Sequence, residues 1–369
     1  MSTEMKNKIV ACVTVVFFLS VSVWAWLKSA DAFSESERRE LAQLPEVTLG
    51  TVKSGTFMAE FEDYTLDQFP MRDLLRTVKA VTSLSVFRQS DNHDIYIVND
   101  YASKLEYPLK EASIERTGQR FQYVYDKYMA ETDVKLYFSI IPDKNYFLAE
   151  ENGYLSLDYD KLFQIMSRNT EYMKYIDITG LLSLEDYYRT DTHWRQERLV
   201  PVAEKIGQEM GVELTGEYEV KTLDHPFYGV YYGQSALPLL ADEIQYLTSK
   251  TMENCVVYDF QNGKSGGVYD MEKAYGKDSY EMFLSGSLPL LTIENPDADL
   301  QAADRELIIF RDSFGSSIAP LFIEGYARIT LVDIRYIHPD LLKNYIRFDD
   351  QDVLFLYSTL VLNNGETIK

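Results

Sequence analysis

Apolar residues follow three rhythms along this chain. From Ile9 to Leu27 they are continuous, 19 residues without a charge, IVACVTVVFFLSVSVWAWL. That length can span a hydrocarbon core. Further on, FMAEFEDYTLDQFPMRDLL (57–75) has apolar positions at helical spacing, with a break expected at Pro70. SESERRELAQLPEVT (34–48) also reads as a helix, with a serine start, an acidic first turn and a stop before Pro45. From about residue 84 the rhythm changes again. HDIYIVN (93–99), VKLYFSIIP (134–142), KYIDITG (174–180), RELIIF (305–310), ARITLVDIRYI (327–337) and DVLFLYSTLVLNN (352–364) read as strands or begin as strands. Between them ERTGQRFQYVYDKYMAE (115–131), DKLFQIMSRNTEYM (160–173) and RLVPVAEKIGQEMGV (198–212) have helical periodicity. Strands alternating with helices predict an α/β domain with a mainly parallel sheet. Residues 214–300 break the pattern with glycines, aromatics and polar turns, and predict an insertion of short strands and loops.

The expected organisation is a tail (1–8), a transmembrane anchor (9–28), a helical neck (29–83) and the α/β domain (84–369). Lys6 and Lys8 precede the apolar run, and Trp24 and Trp26 sit near its far end in the manner of interfacial anchors. Ala30 and Ala32 form a small-x-small pair that would suit a cleaved signal peptide. The run is longer than a usual signal core, and Lys28 intervenes. An uncleaved anchor is therefore expected, with the tail cytoplasmic and the large domain extracytoplasmic.

A formal charge of −22 excludes the basic surface that nucleic-acid binding requires. Cys12 lies in the apolar run, so Cys255 has no partner for a disulfide in the rest of the chain. No cysteine–histidine spacing suggests a zinc–thiolate site. The 28 tyrosines are read as packing, with sugar stacking as the alternative.

Two segments carry candidate chemistry. In RELIIFRDSFGSSIAPLF a strand runs into Arg311-Asp312-Ser313-Phe314-Gly315, with a helix expected after it. Ligands of open parallel sheets bind at the carboxyl ends of strands, so Ser313 is placed at that edge with its N–H available to a developing oxyanion. This is not a GxSxG elbow, because Arg311 stands where the first glycine would be. A serine hydroxyl needs a base, and the base needs an orienter. YYRTDTHWRQERL (187–199) supplies Asp191 and His193; in an extended segment residues i and i+2 point the same way. Taken alone, Asp191 or Thr192 also fits the N-cap of the following helix. Asp191, His193 and Asp312 also fit a metal site, without a second histidine at a recognisable spacing. Lys144, in IPDKNYF, is a candidate substrate contact that is otherwise expected to be solvated. Asp312 and Trp194 are read as structural.

The pair TDTHW and FRDSFGSS, in that order, resembles the DHHW family of bacterial envelope proteins. That family is related to the AlgJ/AlgX-type alginate O-acetylation proteins of the SGNH-hydrolase-like superfamily. RRELAQLP, DQFPMRD, IPDKNYF, FYGVYYGQSA, VDIRY and LYSTLVLNN extend the resemblance over nearly all of the chain after the anchor. It implies a three-layer α/β/α fold with a circularly permuted motif order, and no cofactor or metal. Its implied activity is a polysaccharide O-acetyltransferase or acetylesterase, with Ser313 as nucleophile, His193 as base and Asp191 as its orienter. A membrane-bound O-acyltransferase is the implied acetyl donor. Arg335 and Tyr336 resemble positions near the site. The block asparagine of ordinary SGNH enzymes is missing: DVLFLYST ends in Ser358-Thr359, with no asparagine until Asn363. Gly315 and Ser358 are left as candidates for the second oxyanion donor. A non-catalytic glycan-binding scaffold with the same fold is the competing expectation.

Overall fold

The computed structural model describes residues 2–298, 302 and 304–369. The chain divides into two compact units. One runs to His93 and takes in Tyr232–Pro238; the other holds Asp94–Tyr231 and Leu239–Lys369.

In the first unit the helix Thr3–Leu27 is long and apolar enough to cross a membrane. Thr56–Asp67 and Arg72–Ser85 are helices separated at Pro70, as the apolar spacing predicts. The stretch after Phe33 is not a helix. Phe33–Ser34 pairs with Arg39–Glu40 across a turn. Its charges find long-range partners instead of helical ones: Glu37 lies 2.5 Å from Arg72 and 3.1 Å from Arg76, and Arg39 pairs with Asp67.

The second unit is built on an eight-stranded sheet. Its strands, in chain order, are β1 (Lys135–Ile141), β2 (Lys174–Tyr175), β3 (Val256–Asp259), β4 (Lys264–Gly266), β5 (Leu290–Glu294), β6 (Glu306–Arg311), β7 (Arg328–Val332) and β8 (Asp352–Ser358). Across the sheet they run β4-β3-β5-β7-β6-β8-β1-β2. From β7 to β2 every pairing is parallel. β5, β3 and β4 extend the sheet antiparallel. The region expected to be an insertion therefore contributes three strands to the central sheet.

Parallel strands covered on both faces read as continuous apolar runs, and LIIF and VLFLY do so. Leu307, Ile309, Leu354 and Leu356 pack on one face with Val202, Ile206 and Phe322. Ile308, Phe310, Val353 and Phe355 pack on the other with Phe121, Val124 and Leu162. The result is helix, sheet, helix. HDIYIVN does not join this sheet. Ile95–Val98 forms its own hairpin with Tyr101–Lys104, turning at Asn99 and Asp100, both with positive φ.

Candidate active site

Four parallel strands end at one edge of the sheet, and the sequence-derived candidates lie just beyond them. Ser313 follows β6, Lys144 follows β1, Arg335 follows β7, and Ser358 closes β8.

Asp191 and His193 arrive from a tight hairpin rather than an extended segment or a helix cap. Tyr187 and Trp194 form an isolated bridge, and Tyr188 N–H donates to the His193 carbonyl at 3.1 Å. At the tip, Asp191 Oδ1 accepts the His193 backbone N–H at 3.1 Å and His193 Nδ1 at 2.6 Å. The turn, not strand alternation, thus places the carboxylate on the ring. With Nδ1 donating to Asp191, Nε2 is an acceptor. It lies 2.8 Å from Ser313 Oγ. Asp191 is buried, and His193 and Ser313 are partly exposed.

The rest of the hairpin is held from several sides. Asp242 accepts the backbone N–H groups of Arg189 and Thr190, each at 2.8 Å, and the Thr190 hydroxyl. Val230 N–H donates to Asp191 Oδ2 at 2.8 Å. That approach depends on Gly229, where a Cβ would meet the Asp191 Cα and Cβ at 2.3 Å. Trp194 is buried; its Nε1 donates to the Phe314 carbonyl and to Ser317 Oγ. This tryptophan fastens the hairpin that bears His193 to the turn that carries Ser313. Tyr280 stacks on the His193 ring, with centroids 3.9 Å apart and planes within 10°, and its hydroxyl donates to the same Ser317 Oγ.

Asp312 organises the turn that carries Ser313. It is fully buried; Oδ1 accepts Phe314 N–H, and Oδ2 accepts both the N–H and the hydroxyl of Ser358. Two expectations change as a result. Ser358 is not a free oxyanion donor, because both its donors are spent on Asp312. The metal grouping of Asp191, His193 and Asp312 is not assembled, because the Asp312 carboxylate already accepts three bonds. Gly315 is buried in the first turn after Ser313; its N–H donates back to the Asp312 carbonyl, and a Cβ there would collide with Arg311. The Ser313 N–H has no partner among the described residues and is the donor beside Oγ.

Lys144 is not solvated. It is 2% exposed, and Nζ donates to the carbonyls of Tyr188 (2.9 Å) and Arg189 (3.2 Å). It supports the hairpin from below. Burial pushes its ammonium down to about 7, against the pull of Asp191, Asp242 and Asp143. Arg335 spends Nε and Nη2 on Asp333, at 2.9 and 2.6 Å, and its guanidinium lies over the exposed Tyr336 ring. Among the described residues neither Arg335 nor Tyr336 hydrogen-bonds to Ser313, His193 or Asp191.

Sequence reasoning did not single out Gly229, Asp242, Tyr280 or Ser317. Gly229 had a signal in FYGVYYGQSA; Tyr280, one tyrosine among many, had none.

The fold is shared with solved structures. A DHHW family protein from Eubacterium siraeum aligns with a TM-score of 0.59 at 20% identity, covering 74% of this chain and 93% of its own. Bacillus cereus PatB1, solved with a sulfonyl adduct, aligns with a TM-score of 0.57 at 19% identity, covering 74% and 97%. The O-acetyltransferase domain of Pseudomonas putida AlgJ, with a TM-score of 0.41 at 12% identity over 73% and 92%, is too distant to carry an argument. The neighbours thus include a member of the family that the paired motifs resemble, and the likeness is one of fold. No family model matches the chain, and no curated protein does.

Proposed function

We propose that this chain is a membrane-anchored, extracytoplasmic enzyme that moves acetyl groups on cell-envelope polysaccharide through an acetyl-serine intermediate. The observation that carries this reading is the unbroken relay from Asp191 to His193 (2.6 Å) to Ser313 (2.8 Å) at the carboxyl edge of the sheet. His193 Nε2 takes the Ser313 proton as Oγ attacks the acetyl carbonyl. Asp191 holds the imidazole in the productive tautomer and stabilises the imidazolium. The oxyanion forms beside the Ser313 N–H. Collapse expels the leaving oxygen, which takes the proton back from His193. A sugar hydroxyl (transfer) or water (hydrolysis), deprotonated by His193, then releases the acetyl group. The sequence resemblance of TDTHW and FRDSFGSS to the DHHW family, with its relation to alginate acetylation proteins, favours transfer, with a membrane-bound O-acyltransferase supplying the acetyl group. An open cleft of about 790 Å³ past β1, lined by Tyr146, Tyr154, Glu150 and Asp160, offers ring faces and carboxylates suited to sugar hydroxyls.

One observation favours the competing reading, a non-catalytic glycan-binding scaffold: Ser358 is committed to Asp312, which removes one candidate for a second oxyanion donor. Labelling of the purified full chain with a fluorophosphonate or an arylsulfonyl fluoride separates the two. The enzyme reading expects modification of Ser313, none in Ser313→Ala, and a rate about 10²–10⁴-fold lower in His193→Ala. An unreactive Ser313, together with unchanged glycan acetylation in cells carrying Ser313→Ala, would sink it. Mass spectrometry of oligosaccharides incubated with an acetyl donor then distinguishes transfer from hydrolysis.

A further inference from the structure

The neck helix Arg72–Ser85 is amphipathic, and the face it turns outward is the apolar one. Met71, Leu74, Leu75, Val78 and Val81 recur as a single helical stripe. All are exposed, Leu74 by 56% and Val78 by 53%. The inward face is polar or small: Ala80 and Ser83 are buried, and Arg72 and Arg76 pair with Glu37. A helix facing water has the opposite arrangement. Past the helix end the apolar surface continues in Val86 and Phe87, 69% and 71% exposed. At the other end Met71 and Leu75, with Phe61, Phe69 and Trp24, line an open apolar cavity of about 640 Å³ against the helix Thr3–Leu27. The stripe is therefore continuous with the end of the membrane-spanning segment that carries its tryptophans.

We propose that this stripe is seated in the lipid bilayer. Arg72–Phe87 lies in the interface of the leaflet into which Thr3–Leu27 emerges, with the apolar side chains about 5–10 Å into the boundary between headgroups and acyl chains. Arg88, exposed just past its end, is placed to reach lipid phosphates, and Lys79, whose ammonium lies 3.2 Å from His93 Nε2, flanks the stripe. The continuity with the span selects lipid as the occupant over a second copy of the chain. The neck is then a second membrane contact. This inference rests on the anchoring half of the proposed function and not on its chemistry.

The test places a nitroxide on single cysteines in the full chain, one copy per lipid nanodisc. Cys12, which is exposed, is replaced by serine; Cys255 is buried. Labels at Leu74 and Val78 are compared with one at Val16 in the span and one at Glu131 in the second unit. The readout is collision with oxygen, which concentrates in lipid, against collision with a water-soluble nickel chelate. At Leu74 and Val78 oxygen is expected to lead several-fold, as at Val16, with the order reversed at Glu131. Values at Leu74 and Val78 like those at Glu131, with Val16 still lipid-exposed, overturn this inference alone. Labels shielded from both reagents also overturn it, because the stripe would then pack on protein. A water-exposed Val16 overturns the anchor and this inference together.

Discussion

A methyl group at Gly229 would stand 2.3 Å from the Asp191 Cα and Cβ, and the contact is with backbone, so the neighbour has little freedom to yield. Gly229→Ala is expected to cost about 1–3 kcal/mol in unfolding free energy. By displacing Asp191 it is expected to slow Ser313 labelling about 10–100-fold; denaturant melts and labelling rates check the two effects. Lys144 gives a pH prediction at the same scale. Its folded value, about 7, lies below that of an unfolded lysine, so the unfolded chain binds the extra proton between those limits. Through this group stability rises as pH goes from about 7 to about 10, by at most about 1.4 kcal/mol per pH unit. The neutral amine keeps two N–H donors, enough for the Tyr188 and Arg189 carbonyls. Lys144→Met should flatten that rise. Denaturant melts of both chains across this pH range measure the difference, and parallel curves would refute the assignment.

At the scale of elements, the site is made where a hairpin meets a strand-to-helix turn. The parallel strands β1, β6, β7 and β8 were legible because both their faces are largely buried, which leaves unbroken apolar runs. That Asp191, His193 and Ser313 meet was legible because histidines are few in this chain and the two motifs are short. What the sequence hid were the supports, since a backbone N–H such as Val230 and a ring such as Tyr280 carry no local signature. Short strands were expected in 214–300, but the membership of β3, β4 and β5 in the central sheet was hidden for another reason. They are short and antiparallel, and Val256–Asp259 has exposed positions that break the apolar pattern. Tyr280 is itself testable. Its ring lies flat on His193, while its hydroxyl serves Ser317. Such a stack contributes about 0.5–1.5 kcal/mol, or roughly two- to tenfold in rate. Tyr280→Leu should slow labelling by that factor and alter its pH profile, whereas Tyr280→Phe should keep both close to those of the parent. Equal losses in the two variants would assign the effect to the hydroxyl network instead.

At the scale of the whole molecule, the question is whether the first helix stays on the chain. Thr3–Leu27 has 25 residues and a length of about 37 Å, enough to cross a core of about 30 Å. The small-x-small pair at Ala30 and Ala32 that would invite a signal peptidase is built into the neck. Asp31 N–H donates to Gln68 Oε1, and its carbonyl accepts Gln68 Nε2 and Gln43 Nε2. The Ala32 carbonyl accepts Leu41 N–H, and the bridge at Phe33–Ser34 begins at the next residue. A protease needs that strand extended and free, and here the Asp31 N–H and the Asp31 and Ala32 carbonyls are already paired within the unit. Cutting after Ala32 would separate Asp31 from Gln68 and remove the tryptophans that line the apolar cavity beside Leu75. The chain isolated from membranes is therefore expected to carry the intact N-terminus by mass spectrometry and to resist extraction by high salt and carbonate. A mature product beginning at Phe33, released into the soluble fraction, would show that the helix serves only for export.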